Sequence, residues 1–561
     1  MKPLPTATEV ASRRALLSAN GETVFYGWNT TDTAYAGASR IRKELATWNP
    51  PMGSADSDLL PDLGTLISRS RDLARNHGIA SSAIQTTIDN VVGYGLRLSS
   101  TPDYRALGQS KEWAHEWARN TESHFRAWTM TTGCDAADLL NFSGLTSLMF
   151  RAMLLNGDAI ALPLWLPNRN RNGFATCLQL VESDRLSNPQ YATVRENLRG
   201  GIETDPYGAP VAYYIRKTHP GDFMLGLSGN FSSGYGSDEW ERIPAYTKWG
   251  RRRVIRLHEM DRTGQTRGTP LFAPVLEQFK MFDHYQRTEL QCAIVNALVA
   301  AVIETPMDPA SIAEMVGGNP NEYITNKNEY RVQLRGGAVL PLYPGDKFQS
   351  FTPSRPAAQY SSFVETVLRH IATGLNMPYE LLTKDFSKTT YASARAALLE
   401  AWRYFQTRRL AIAWAWCQPV YELWLEEAIS IGLVDAPDYY KSPGFYQKAK
   451  WLGPGRGWVD PVKEAQAAQI RIENGFSTME AECAEQGLDW QEQIEQRAVE
   501  IGRMKELGIW DDLMQMRAPA QAVQLSAPAP VTEPDAPPQP DVPEEPEEEE
   551  EEDQEEDADA A

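Results

Sequence analysis

Apolar residues first fall into a helical rhythm near Asp62. Leu63, Leu66, Ile67, Leu73, Ile79 and Ile84 recur every three or four positions, or at multiples of that spacing, which predicts one or two helices running to about Ile88. The stretch from Val91 to Leu98, broken by Gly93 and Gly95, predicts a strand entered through a glycine turn. Residues 111–128 predict an aromatic-rich helix and 145–156 a buried one. The pattern then turns strand-like: Ala159–Trp165 and Ala212–Arg216 are separated by Asn, Gly and Pro turns. Residues 220–250 are rich in Gly and Ser and predict a long loop, and Val254–Leu257 predicts one more short strand.

The style changes at Pro270. Phe272, Val275, Leu276, Phe279 and Phe282, then Leu290, Ile294, Ala297, Leu298 and Ala301, lie mostly three or four apart up to Glu304. At 1.5 Å per residue this predicts a helix of roughly 50 Å. The polar run Asp283–Glu289 marks a bend or a change of packing partner. A second helix is predicted over Ala357–Leu375, with Phe363, Val364, Val367, Leu368 and Ile371 on one face, stopping before Pro378. A third runs from Ala392 to Ile431, roughly 60 Å on the same rise. Pro419 sits inside it and predicts a kink.

The segment between the first two long helices differs in character. Tyr330–Leu334 and Ala338–Leu342 flank Arg335-Gly336-Gly337, a hairpin pattern around a Gly-Gly turn. The chain thus reads as α+β: an α/β lobe, a long helix, a small β-containing insert, a returning helix, a very long helix, and a smaller helical region to about Met516. Long helices flanking a small insert suggest an elongated device more than a compact enzyme.

Charge sharpens this only after it is dissected. The 561 residues carry a net charge of −20. Residues 521–561 hold 16 Asp and Glu with no Lys or Arg, which leaves −4 on the remainder. The Pro/Ala-rich run from Ala518 and the acidic run Glu547–Asp559 have little apolar surface to bury, so a disordered tail is expected there. The body is nearly balanced, without the basic excess of a protein that grips nucleic acid along one face. Apolar runs such as Ala293–Ile303 are too short to span a bilayer, and Met1-Lys2-Pro3-Leu4-Pro5 has no secretory apolar core, so an intracellular origin and no membrane partner are expected.

Catalytic signatures are missing. There is no phosphate-cradling GxxxxGK[ST] and no GxSxG elbow, and Gly453–Gly457 reads as a tight turn. The five cysteines are scattered without a CxxC, and the seven histidines form neither HExxH nor HxH. No metal, cofactor or catalytic residue is expected. Trp402, Trp414, Trp416 and Trp424 read as core or inter-subunit packing before base stacking.

Four ordered segments resemble the lambda-type portal proteins of tailed bacteriophages. The first is Arg69–Asn76 with Asp89–Gly95, and the second is Gly264–Leu271, leading into the first long helix. The third and most specific is Gly374–Ser387 followed by Tyr391–Ala397. The fourth is Gly455–Glu464. The family usually has Asn-Tyr-Ser-Ser-Ala-Arg where this chain has Thr390-Tyr391-Ala392-Ser393-Ala394-Arg395, which keeps the turn-to-helix character. The resemblance covers roughly residues 60–500.

It implies a dodecameric ring around a central channel at one capsid vertex, in the virion and, during assembly, in the host cytoplasm. It divides the chain into an N-terminal extension (1–60), a wing (61–270 with the long helix 392–433), stem helices (271–304 and 356–376), a clip (305–355), a channel loop (377–391), a crown (434–516) and the acidic tail (517–561). Implied partners are further copies of the chain, double-stranded DNA passing without sequence preference, the terminase large subunit, the major capsid or scaffold protein, and head-completion or connector proteins. Lys384, Asp385 and Lys388 are the candidate DNA-facing loop residues, and Arg331, Arg335, Gly336 and Gly337 the candidate docking residues of the clip. Competing expectations are a nuclease fused to a helical scaffold and a minor capsid protein without a channel.

Overall fold

The computed structural model describes residues 45–169, 173–189, 197–222, 239–303, 338–341, 360–457 and 460–511, together with residue 514 and a few positions before 45. The chain divides into two compact units, Met1–Asp489 and Trp490–Ala561. The class is mixed helix and strand, as the patterning indicates.

The first unit opens with helices Ala55–Asn76 and Gly78–Val91. Ser54 caps the first by accepting from the Ser57 amide, and Asp56 and Asp58 place negative charge on its first turn. Leu59, Leu63, Ile67 and Ala74 form its buried stripe. The strand expected over 91–98 is corrected. Val91 and Val92 are buried at the end of the second helix, Gly93 and Gly95 turn the chain at φ +55° and +125°, and the strand is Arg97–Ser100. Its partner is Ala449–Leu452, antiparallel, with Leu98 opposite Trp451.

Helices Lys111–Thr129 and Phe142–Asn156 follow, capped by Ser110 and Asn141. A three-stranded antiparallel sheet has Asp158–Trp165 at its centre, between Ile255–His258 and Thr176–Val181. A second sheet orders Leu198–Arg199, Ile202–Thr204, Pro210–Arg216 and Trp240–Pro244. The last of these corrects the expected 220–250 loop: Ile243 pairs with Tyr213 and lies buried among Ile202, Ile215 and Val254, while residues 223–238 lie outside the described ones.

The first long helix is Leu276–Leu298, preceded by a 3-10 turn at Ala273–Val275. Phe272, Val275, Phe279 and Phe282 are buried in the main core, whereas Leu290 and Ile294 are exposed. The packing therefore changes across Asp283–Glu289, as the polar run suggested. The helix stops earlier than its apolar spacing implied: Val299–Ile303 is extended and pairs in parallel with Ala338–Pro341. Val299, Val302 and Ile303 are β-branched and favour the pleated surface. Ala338–Pro341 is the second arm of the expected hairpin; its first arm and Gly-Gly turn lie outside the described residues. Tyr360–Gly374 returns alongside the first helix, with Tyr285 stacked on Tyr360 and edge-on to Phe363.

The third long helix is continuous in its path but not in its hydrogen bonding. Tyr391–Ile412 and Gln418–Ser430 are α-helical, and Ala413–Cys417 between them is a π turn. Gln418 N–H bonds Ala413 C=O, one residue beyond the α pattern. Pro419 explains this, because it offers no N–H and its ring would crowd the carbonyl four residues back. The widened turn absorbs the misfit. It also seats Trp416 flat against Phe142 at 5.8 Å, with the indole N–H donated to Thr146 Oγ1 at 2.9 Å. Trp424 packs between Phe125 and Phe174. Buried Glu427 accepts the amides of Ala175 and Thr176 at 2.6 and 3.0 Å, joining this helix to the sheet. Trp416 and Trp424 are thus core residues, while Trp414 is exposed.

Strand Ala449–Leu452 and helices Pro461–Glu473 and Met479–Glu485 complete the first unit. The second contains helix Trp490–Glu506. No described helix is long and apolar enough to cross a membrane.

Candidate functional site

The candidate loop begins where helix Tyr360–Gly374 ends. Asn376 turns the chain at φ +53°, and Pro378 starts the short helix Tyr379–Thr383. Leu375, Met377 and Leu382 are buried in the main core, so this half of the loop is anchored. Lys384 then reverses the chain at φ +59° and ends the short helix. Residues 384–388 are all exposed. Thr390 accepts from the Ser393 amide and starts the long helix.

The three candidate side chains differ in state. Asp385 accepts from the Ser387 amide at 3.0 Å, and its bonds to Ser387, the side-chain one first, hold the carboxyl below its usual range. It shapes the turn from within. Lys388 reaches across to the returning helix and pairs with Glu365 at 3.0 Å, and Glu365 also holds Arg369 at 2.7 Å. Lys384 makes no ion pair among the described residues. Among the described residues, the loop therefore presents one cation without an ion pair and one that a carboxylate already faces. Arg331, Arg335, Gly336 and Gly337 lie outside the described residues.

A residue inside one of the quoted motifs proves structurally central, although the pattern gave it no role. Arg267 is buried, and its guanidinium meets Asp158 in a two-pronged pair, with Nη2 at 3.0 Å from Oδ1. It also donates to the carbonyls of Leu186, Gly200 and Ser183 at 2.8, 3.1 and 3.1 Å. All these acceptors belong to the sheet lobe. Arg267 thereby fixes the segment that feeds the first long helix. Gly157 and Gly268 lie against each other here, and a Cβ on either would collide with the carbonyl of the other. The only legible signal was an arginine flanked by glycines in the segment 264–268.

Two neighbours complete this region. Asp56 accepts from the backbone and hydroxyl of Thr266 at 2.7 and 3.0 Å. Burial, with help from the Arg256 charge, lowers the His258 pKa to about 4.

One group of side chains has metal-ligand composition: Glu182, Asp184 and His219 bring ligand atoms within 4.8 Å of one another. Its chemistry opposes a metal. Arg71 already pairs with Asp184, and His219 Nδ1 accepts from the Gly221 amide at 2.9 Å. His219 Nε2 lies 3.2 Å from Glu182, so the ring nitrogens and carboxylates of the group are already arranged around one another. The buried thiols do not form a nucleophile site either: burial pushes Cys134 up to about 12 and Cys417 higher still.

The model of the phage portal protein, lambda family, matches residues 42–409. Portal protein B of Escherichia phage lambda is 33% identical over 497 residues, spanning 85% of this chain and 90% of that protein. The portal protein of Escherichia phage N15 is 32% identical over 494 residues, spanning 85% and 91%. Among solved structures, a chain from the virion of a native gene transfer agent particle aligns with a TM-score of 0.40 at 13% identity, covering 74% of this chain and 89% of that one.

Arg267→Met leaves the Asp158 carboxylate buried and unpaired, and should cost about 3–5 kcal/mol in chemical denaturation. Adding Asp158→Leu should recover a large part of that loss, and recovery of none would deny the pair its role. His258 is held neutral when folded and takes up a proton on unfolding below pH 6.5. Stability should therefore be complete above pH 6.5 and fall as pH drops toward 4, by at most about 1.4 kcal/mol per pH unit. His258→Gln should flatten that part of the stability–pH curve.

Proposed function

This chain belongs to the lambda family of phage portal proteins, structural components and not enzymes, and from that premise we propose that its copies close into a ring, of about twelve subunits, lining a DNA passage at one vertex of the virion. Residues 61–270 and the long helix 392–433 form the wing. The helices within 271–304 and 356–376 form the stem that walls the channel, and 305–355 the clip. The crown lies within 434–516.

Closure requires a head-to-tail interface that uses two different faces of one subunit. Leu290, Ile294 and Phe363, exposed on the paired long helices, supply apolar surface for it. DNA must slide, so the wall must not accumulate phosphate contacts, each of which adds to the grip. A body carrying only −4 outside its acidic tail suits that requirement.

The observation that carries the channel reading is the loop. Its base is pinned in the core by Leu375, Met377 and Leu382, while 384–388 is exposed and Lys384 makes no ion pair among the described residues. Such a loop touches a passing backbone transiently without enclosing it. The clip, with Arg331, Arg335, Gly336 and Gly337, docks the terminase large subunit during packaging and connector proteins afterwards. The outer wing meets the capsid or scaffold protein.

Replacing Lys384 and Lys388 together with Ala should leave rings intact and reduce the DNA packaged or retained per particle, measured by nuclease-protected DNA. Lys384→Ala alone should account for most of the loss, because Lys388 is already faced by Glu365. Normal packaging by the double variant would remove the loop from the mechanism.

A further inference from the structure

The turn Tyr246–Arg253 is chemically unlike the rest of the body. Its eight residues contain Lys248, Arg251, Arg252 and Arg253 and no acid, in a body of near-zero net charge. Its shape is fixed from within. The Thr247 amide donates to Arg251 C=O at 2.8 Å, the Gly250 amide to Thr247 C=O at 3.1 Å, and the Arg251 amide to Thr247 Oγ1 at 3.0 Å. Gly250 supplies the left-handed residue at φ +90°. Tyr246 and Arg252 bridge its stem, and the Arg253 amide bonds Ala245 C=O at 2.9 Å.

The cations divide into two sets. Arg251 is held over the Trp165 ring at 5.6 Å and pairs with Glu426 at 3.2 Å. Arg252 lies over Tyr246 at 5.3 Å, and its charge is felt by Glu422. These two brace the turn. Lys248 and Arg253 are exposed and make no ion pair among the described residues. Between them Trp249 is 76% exposed, and Trp165 beside the turn is 55% exposed.

A bare indole on a turn fixed by its own hydrogen bonds, flanked by cations that make no ion pair among the described residues, has little to contribute to the fold. We infer that this turn is a nucleic-acid contact without sequence specificity, separate from the channel loop. Lys248 and Arg253 would meet backbone phosphates, and Trp249 the face of an unpaired base. Flat guanidinium and indole groups suit a ligand that offers both phosphate oxygens and base faces. Nothing acidic in the turn opposes a polyanion. Duplex and single-stranded DNA share this chemistry, and the arms of the test separate them.

The test uses full-length assembled protein in the Lys384→Ala/Lys388→Ala background, so that any signal is independent of the channel loop. Binding of a labelled duplex and of a labelled single strand is followed by fluorescence anisotropy over a range of salt. Lys248→Ala/Arg253→Ala should lower affinity for both and reduce the salt slope by about 1.8 for duplex, two phosphates' worth. Trp249→Ala should weaken the single strand by roughly tenfold and the duplex far less. An unchanged melting temperature excludes misfolding at these exposed positions. An unaltered salt slope would overturn the inference. So would equal competition by polyglutamate at matched charge, which would reassign the turn to an acidic protein. Loss of DNA binding in the Lys384/Lys388 background with the turn intact would likewise overturn it, while leaving the channel reading standing.

Discussion

The two-pronged pair between Arg267 and Asp158 is the constraint on which the rest of the arrangement depends. Neither partner has solvent to fall back on, and Arg267 spends its remaining donors on three carbonyls of the sheet lobe. Burying an ion pair contributes little net stability, but leaving either partner alone is severely unfavourable. The pair therefore acts as a selector of geometry. Only one placement of segment 264–271 satisfies it, and that placement sets where the first long helix begins. The close approach of Gly157 and Gly268 tightens the same joint, since no other residue pair fits.

Position is then passed along the chain by packing. Phe272, Val275, Phe279 and Phe282 seat the start of the first long helix in the main core, with His77 edge-on to Phe279. The returning helix Tyr360–Gly374 packs on it and delivers Leu375 and Met377 to the same core. The exposed tip 384–388 is consequently short and its base packed into the core. The long helix that follows is locked by Trp416 and by Glu427, which reaches the sheet lobe at the Ala175 and Thr176 amides. A loop held between two such helices is anchored at both ends, as the proposed contact with passing DNA requires.

Much of this was legible because helical periodicity is local. The helical rhythm over 62–88, 111–128 and 145–156 and that of the three long helices shows within windows of a few turns, and lies inside helices observed at 55–91, 111–129 and 142–156. What escaped was non-local. Arg97–Ser100 becomes a strand only because Ala449–Leu452, some 350 residues away, pairs with it. Trp240–Pro244 sits beside a glycine-rich run that masked it. The apolar spacing up to Glu304 could not show that the β-branched run after Leu298 would take a strand partner instead. Pro419 was visible as a disturbance, but the choice of a π turn over a sharp kink depended on the pocket waiting for Trp416. At the candidate site, Lys384, Asp385 and Lys388 could be chosen from sequence, yet their differing states depended on Glu365 and Ser387. Arg267 was hidden because a single arginine in a polar segment ordinarily reads as surface.

The central claim is that these joints hold the loop at the wall of a closed passage, and direct imaging of the purified full-length protein tests it. Negative-stain class averages should show perforated rings of about twelve subunits viewed down the axis. Monodisperse monomers, or assemblies without a central opening, would contradict the account.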